Sequence, residues 1–213
     1  MQKYCTHLLP RSISEMEAGQ TNKSWLSAVK LVGQSEAMQM NIVAIGAHPD
    51  DLEIFTFGFL AAASARGDTL YLGVATDGAA GGENPGQELA TQRANETSAG
   101  LAPLGTPTLL GLPDGRLADA PEAREQITDF IRAATPDLVI THAPEDYHPD
   151  HRALSSFVTD AAGFICPVLF CDTLMGVGFT PDYYIDISEH FTAKQNAIMA
   201  HNSQDPSRFV SAS

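Results

Sequence analysis

The sequence predicts an α/β protein with a Rossmann-like, mostly parallel sheet and helices on both faces. Three observations predict it. Apolar runs of strand length recur, as in Ile42-Val43-Ala44-Ile45 and Leu138-Val139-Ile140, and their continuity fits strands buried on both sides. Stretches of helical length alternate with them, which requires parallel crossovers. Glycine and proline punctuate the joins, as at Gly67 and Pro136.

The elements follow in order. Residues 41–47 form the first strand. A helix over about 52–66, rich in alanine and apolar residues, stops at Gly67. Thr69 to Ala75 is the second strand, followed by a glycine-rich loop from Asp77 to Gly86. A helix over 87–101 leads to a short strand, Thr108 to Gly111. Pro121 is suited to the first position of a helix running to Ala134. Residues 137–142 form a strand, 151–163 a helix, and Val168 to Cys171 and Tyr183 to Ile187 two further strands. Ser188 is placed to cap a last helix ending at Ala200.

At 213 residues the chain is long enough for one domain with a sizeable core. Residues 1–37 differ in composition and read as an N-terminal extension. Residues 38–213 carry the α/β domain. Within the extension, Trp25 to Val32 reads equally as a short amphipathic helix and as part of a flexible tail. No stretch approaches the length of a membrane span, and the N-terminus lacks the pattern of a secretion signal, so the expectation is cytoplasmic. Cys5, Cys166 and Cys171 form neither a disulfide framework nor a CxxC pair. The formal net charge is −14, with four basic and three acidic side chains before residue 38 and eight and twenty-three after it. Such a surface repels nucleic acid and anionic membranes, so neither is expected as a partner. A homo-oligomer is compatible with everything above.

Two clusters carry the chemistry. His48-Pro49-Asp50-Asp51 follows the first strand, and His148-Pro149-Asp150-His151 follows the strand at 137–142. In an open α/β sheet, ligands bind outside the carboxyl ends of the strands. His48 and Asp51 are three apart and can turn toward one point, and His151 completes a set of three from the other strand end. Three protein ligands of N, N and O type leave an open position, as a catalytic zinc site requires. Zinc is the expected ion; Fe(II) suits the same ligands. Asp50 is the carboxylate left over, and its natural role is general base. His148 is suited to donate to the oxyanion or to the leaving amine, with Asp150 as the carboxylate orienting its ring. A plain turn with a helix cap explains one such tetrad well, but two behind buried strands much less well. His142, on a strand, reads as a satisfied interior histidine, and His201 is ambiguous.

These residues resemble the LmbE-like or PIG-L-type N-acetylglucosaminyl deacetylases. Ala47-His48-Pro49-Asp50-Asp51-Leu52-Glu53 is similar to the family's first motif. Thr76-Asp77-Gly78, Gly81-Gly82 and Arg93-Ala94-Asn95-Glu96 resemble its second block, and Leu110 to Gly115 its third. Pro144 to Ala153 resembles the fourth, and Ile185 to Ser188 with Ala200 to Gln204 the tail. The resemblance runs in order from about 41 to 205. It implies a Rossmann-like sheet, zinc on His48, Asp51 and His151, Asp50 as base, and His148 with Asp150 near the transition-state oxygen. It also implies that Arg93 and Asp114 contact substrate hydroxyls, and that the substrate is a small amide such as an N-acetylated amino sugar. One departure stands out: Ile54-Phe55-Thr56-Phe57-Gly58-Phe59 is bulky where the family has a small, glycine-rich run. Packing in the core is the favoured reading of this segment, and reshaping of the acyl or sugar site is the alternative.

Competing classes fare worse. A nucleotide-binding protein would need GxGxxG, and Asp77-Gly78-Ala79-Ala80-Gly81-Gly82 lacks that order. A purely structural metal site has no use for Asp50. A serine hydrolase would need a G-x-S-x-G elbow, which the sequence lacks.

Overall fold

The computed structural model describes residues 3–6, 39–173 and 176–210. Trp25 to Val32 and the rest of the extension beyond Lys3–Thr6 lie outside the described residues. The strands are β1 (Lys3–Thr6), β2 (Asn41–Gly46), β3 (Thr69–Thr76), β4 (Thr108–Leu112), β5 (Leu138–His142), β6 (Val168–Cys171) and β7 (Tyr183–Tyr184). They form one sheet in the order β4-β3-β2-β5-β6-β1-β7. Every pairing among them is parallel. The helices are α1 (Phe57–Arg66), α2 (Gln87–Leu101), α3 (Ala123–Ala133), α4 (Pro149–Ala162), α5 (Phe191–Met199) and a short α6 (Ser207–Val210).

Alternation along the central strands sends side chains to two separate cores. Val43 and Ile45 of β2, with Val139 of β5, pack on Ile127 and Ile131 of α3 and on Leu154 and Val158 of α4. Their neighbours Ile42, Ala44, Leu138 and Ile140 point the other way. They meet Leu60 of α1, Leu101 of α2 and Ala197 of α5. Burial on both faces is why these strands read as unbroken apolar runs rather than alternating ones.

The chain leaves β2 for β3 and β4 on one side, then returns to place β5 on the other side of β2. The strand order therefore reverses between β2 and β5. At such a point the loops after the two strands diverge and leave a crevice. His48 to Asp51 follows β2, and Ala143 to His148 follows β5.

Several boundaries differ from expectation. The helix expected over 52–66 opens with a π-helical turn, Leu52–Thr56, before α1 begins. Such turns occur often at functional sites. Pro121 is not the first helical residue; it lies in a turn, and α3 starts at Ala123 with Glu122 as its N-cap. Helix α4 starts earlier than expected, at Pro149, with His148 as N-cap. The strand expected over 183–187 is only two residues long. Ser188 opens a 3₁₀ turn and bonds Asp186 instead of capping α5.

Candidate active site

Gly46 ends β2, and the chain turns back over it so closely that a Cβ there would lie 2.7 Å from the Asp51 Cβ. This tight return lets the Asp51 Oδ2 accept the His48 backbone N–H at 2.6 Å. Asp50, between them, takes φ of 116°. A non-glycine residue held there stores about 1–3 kcal/mol of strain, and such strain concentrates at functional sites. From the other strand end, helix α4 presents His151 on its first turn. His48, Asp51 and His151 are all buried.

Their donor atoms form a triangle. His48 Nδ1 lies 3.2 Å from His151 Nε2, and Asp51 Oδ2 lies 3.4 Å from each of those nitrogens. Tetrahedral ligands at bond lengths of ~2.0–2.1 Å are separated by about 3.3–3.4 Å. The triangle thus has the size that one tetrahedral ion requires. The site's charges agree. Burial opposes protonation of His48, but the Asp114, Asp150 and Asp51 carboxylates overcome it and push the ring up to about 12. Burial likewise opposes, and Asp51 and Asp146 override, so that His151 rises to about 9. Asp51 is held well below its usual range: burial opposes this, but the His151 and His142 charges dominate. Positive charge is strongly stabilised at this spot, and a divalent cation satisfies the same field in place of protons.

Both candidate histidine ligands have backing carboxylates. His151 Nδ1 lies 3.0 Å from Asp146 Oδ2, and the outer nitrogen of His48, Nε2, lies 3.2 Å from both Asp114 Oδ1 and Asp150 Oδ2. Carboxylates in this position fix ring orientation and raise ligand basicity. Asp150 therefore does not brace the His148 ring with its carboxylate, as the sequence suggested. Sitting on the first turn of α4, it turns its carboxylate to the Gly115 and Leu117 N–H groups at 2.7 and 3.0 Å. Its backbone N–H, instead, donates to His148 Nδ1 at 3.3 Å. That bond makes Nδ1 an acceptor and leaves Nε2 to carry the proton of the neutral ring. Burial and the His48 and His151 charges lower the His148 pKa, which keeps the ring neutral.

Asp50 stays outside the triangle but borders the same cavity, of about 260 Å³. Burial, reinforced by the neighbouring Asp51 charge and partly offset by Arg93, pushes its carboxyl up to about 7. Arg93 is itself buried. It donates to the Pro49 carbonyl at 2.6 Å and the Gly78 carbonyl at 3.1 Å, and its Nη2 lies 3.3 Å from Asp50 Oδ2. At Gly81 a Cβ would collide with Arg93 Nη1, so glycine is what lets the guanidinium lie there. Asp114 accepts the Ala80 N–H at 2.9 Å besides facing His48. Both expected substrate-contact residues line the cavity, yet each already has protein partners there.

Three side chains take places that the sequence did not assign them. His142 is not merely an interior residue. Its ring stacks on His151 at 3.7 Å, and its Nε2 lies 3.0 Å from the Ala47 N–H and 3.1 Å from Asp51 Oδ2. Its place at the carboxyl end of β5 was the available signal. Asp146 was visible as a carboxylate in the same loop as His148. His201 reaches Glu53 Oε1 at 2.9 Å, not the triangle. The bulky segment divides: Phe57 is core, while Ile54 and Phe55 line the cavity. The glycine-rich loop is no phosphate cradle. The N–H groups of Ala79, Ala80, Gly81, Gly82 and Gly86 all bond within the protein.

A model of the family described as PIG-L: GlcNAc-PI de-N-acetylase matches residues 43–162, which span both clusters. The chain belongs to this family. It is an N-deacetylase by class, acting on the carbon–nitrogen bond of a linear amide. It is similar to the diacetylchitobiose deacetylase of Thermococcus kodakarensis (strain ATCC BAA-918 / JCM 12380 / KOD1). The two are 31% identical over 188 residues, covering 78% of this chain and 70% of that one. The N,N'-diacetylchitobiose deacetylase of Pyrococcus horikoshii has the same fold, with a TM-score of 0.70 and 24% identity over 92% of this chain and 85% of that one. The conserved protein TT1542 of Thermus thermophilus gives 0.71 and 26% over 81% and 84%. No helix among the described residues is long and apolar enough to cross a membrane.

Proposed function

We propose that this protein is a metal-dependent hydrolase that removes the acetyl group from an N-acetylated amino sugar or a related small amide. Residues 38–213 form its catalytic unit, and 1–37 are an extension whose strand β1 joins the sheet of that unit. The observation that carries the reading is the 3.2–3.4 Å triangle of His48, Asp51 and His151, with Asp50 beside it and free of it. These three residues would hold one divalent ion, zinc by preference and Fe(II) as the alternative. When bound, that ion supplies Lewis acidity to the amide carbonyl and to the hydrolytic water.

The remaining chemistry belongs to the side chains. Asp50 takes a proton from the water as its oxygen bonds to the carbonyl carbon. A carboxyl pushed up to about 7 suits a base that must later act as an acid near neutrality. His148 lines the cavity, and its Nε2–H donates to the carbonyl oxygen as negative charge develops there. The C–N bond then breaks, and the proton held by Asp50 goes to the leaving amine. Arg93 fixes the Asp50 carboxylate and the Pro49 carbonyl. Asp114 and Asp150 hold His48, and Asp146 holds His151. Two relatives that act on diacetylchitobiose by name support a sugar amide as substrate.

The test is acetate release from N-acetylglucosamine and diacetylchitobiose by protein whose metal content is measured in parallel. Release that vanishes on chelation and returns with zinc is the expected result. Full metal occupancy with no amide cleaved from any N-acetyl sugar would overturn the proposal.

A further inference from the structure

We propose that the Phe55 ring is the wall that sets acyl length at this site, confining it to acetyl and groups of about that size. The inference rests on the deacetylase reading above and goes beyond it to the acyl specificity of the same cavity.

The cavity lining is of two kinds. Arg93, Asp114 and Gln204 are polar, and Tyr147 beside them in the lining is 56% exposed. Ile54, Phe55 and Phe209 are apolar, and of these Phe55 lies against His142 and His151. An amide substrate must bring its carbonyl carbon to the ligand triangle, since an ion held there would activate both the carbonyl oxygen and the water. One substituent of that carbon is the acyl chain. The other is the nitrogen with its carrier. A sugar carrier bears hydroxyls around its ring and loses free energy wherever they go unpartnered. It therefore takes the polar and exposed part of the lining, and the acyl group lies against the apolar lining residue packed beside the triangle, Phe55.

The geometry there is tight. Phe55 is 8% exposed. Its ring stands edge-on to His151 at 6.1 Å and to His142 at 5.6 Å, and those two histidines stack on each other at 3.7 Å. The ring is thus pinned against a candidate metal ligand. Its backbone lies in the Leu52–Thr56 π turn directly after Asp51. A packed ring of this kind does not swing aside cheaply, because close-packed interiors have no spare volume to receive it. Each added acyl methylene then meets aromatic carbon rather than space.

Phe55→Ala and Phe55→Leu, both zinc-loaded, test this with two readouts. The first is kcat/KM on N-acetyl-, N-propanoyl-, N-butanoyl- and N-hexanoylglucosamine. A single methylene in an apolar pocket discriminates by about 10–200-fold. Wild type should lose at least about tenfold from acetyl to butanoyl. Phe55→Ala should flatten that series, and Phe55→Leu should move its cut-off by about one carbon. The second readout is direct binding of acetate, butanoate and hexanoate, the products of those reactions. Wild type should bind acetate and reject hexanoate, and Phe55→Ala should bind both. If wild type cleaves no N-acyl sugar, the deacetylase reading fails, and the carboxylate series still decides whether Phe55 is the wall. Chain-length profiles that are the same in wild type and in both variants would overturn the proposal. Should Phe55→Ala fail to fold, Phe55→Leu carries the same comparison.

Discussion

Among single residues, Asp50 shows best how position assigns chemistry. It is adjacent to Asp51, and the two carboxylates differ only in which way the backbone aims them. The φ of 116° turns Asp50 away from the triangle and toward Arg93. Asp50→Asn should keep its metal and lose about 10²–10⁴-fold in turnover, the usual contribution of a general base. Metal analysis beside steady-state kinetics checks it, and an Asp50→Asn protein that arrives metal-free would mean the two aspartates are exchanged. His148→Ala should keep the metal too, and lower kcat by about 10²–10³-fold, as removal of an oxyanion donor does. Unchanged turnover at full occupancy would reduce His148 to a helix cap. Asp150→Asn should behave differently from both. Its carboxylate braces His48, while its backbone N–H, which the substitution leaves alone, holds His148. The expected loss is about 10–100-fold in metal affinity, with turnover restored at saturating zinc. A zinc titration of activity separates this from a loss of kcat.

Elements set where those residues can act. The strand β2, the π turn and α1 deliver the first cluster, and β5 with α4 delivers the second. The C-terminal segment closes the site's outer flank. Ser203 bonds Glu96 through its N–H and hydroxyl, at 3.0 and 2.6 Å, and the Gln204 amide donates to the Gly81 carbonyl at 2.7 Å. His201 anchors the same segment on Glu53. Burial opposes protonation of His201, but the Glu53 hydrogen bond and charge overcome it, so its pKa is raised. A group raised in the folded state stabilises fully below its unfolded value of about 6.5. That contribution is lost as pH climbs through the folded value. Relative to His201→Asn, the wild-type urea midpoint should therefore fall as pH rises above about 6.5. Parallel pH dependences for the two proteins would show that the His201–Glu53 pair does not titrate with folding. Much at this scale was legible beforehand. The central strands were plain because burial on both faces removes polar residues from them, whereas β1 in the extension went unread and β7 is shorter than expected. Helix starts were less so: Pro121 suits a first helical position, yet local turn geometry delays α3 to Ala123. Ser188 is a good cap by type, but Asp186 takes its hydroxyl first. The candidate ligand residues were legible because HxxD and HxxH are short-range patterns. Their bracing was not, since Asp114 and Asp150 meet His48 across separate segments of the chain.

For the whole molecule, the parallel sheet and its reversal between β2 and β5 explain why two tetrads a hundred residues apart share one cavity. Helices on both faces bury the strands and leave their carboxyl ends as the place where polar side chains can gather. Around His48 that gathering is dense in carboxylate, with Asp51, Asp114 and Asp150 all within 3.4 Å of its ring nitrogens. Such a cluster calls for a cation at its centre. The most direct test is anomalous diffraction from crystals of the zinc-loaded protein. One zinc per chain, bound by His48 Nδ1, Asp51 Oδ2 and His151 Nε2 with Asp50 outside its coordination, is the predicted result. Zinc held by any other set of side chains, or crystals with no anomalous peak at the triangle under excess zinc, would contradict it.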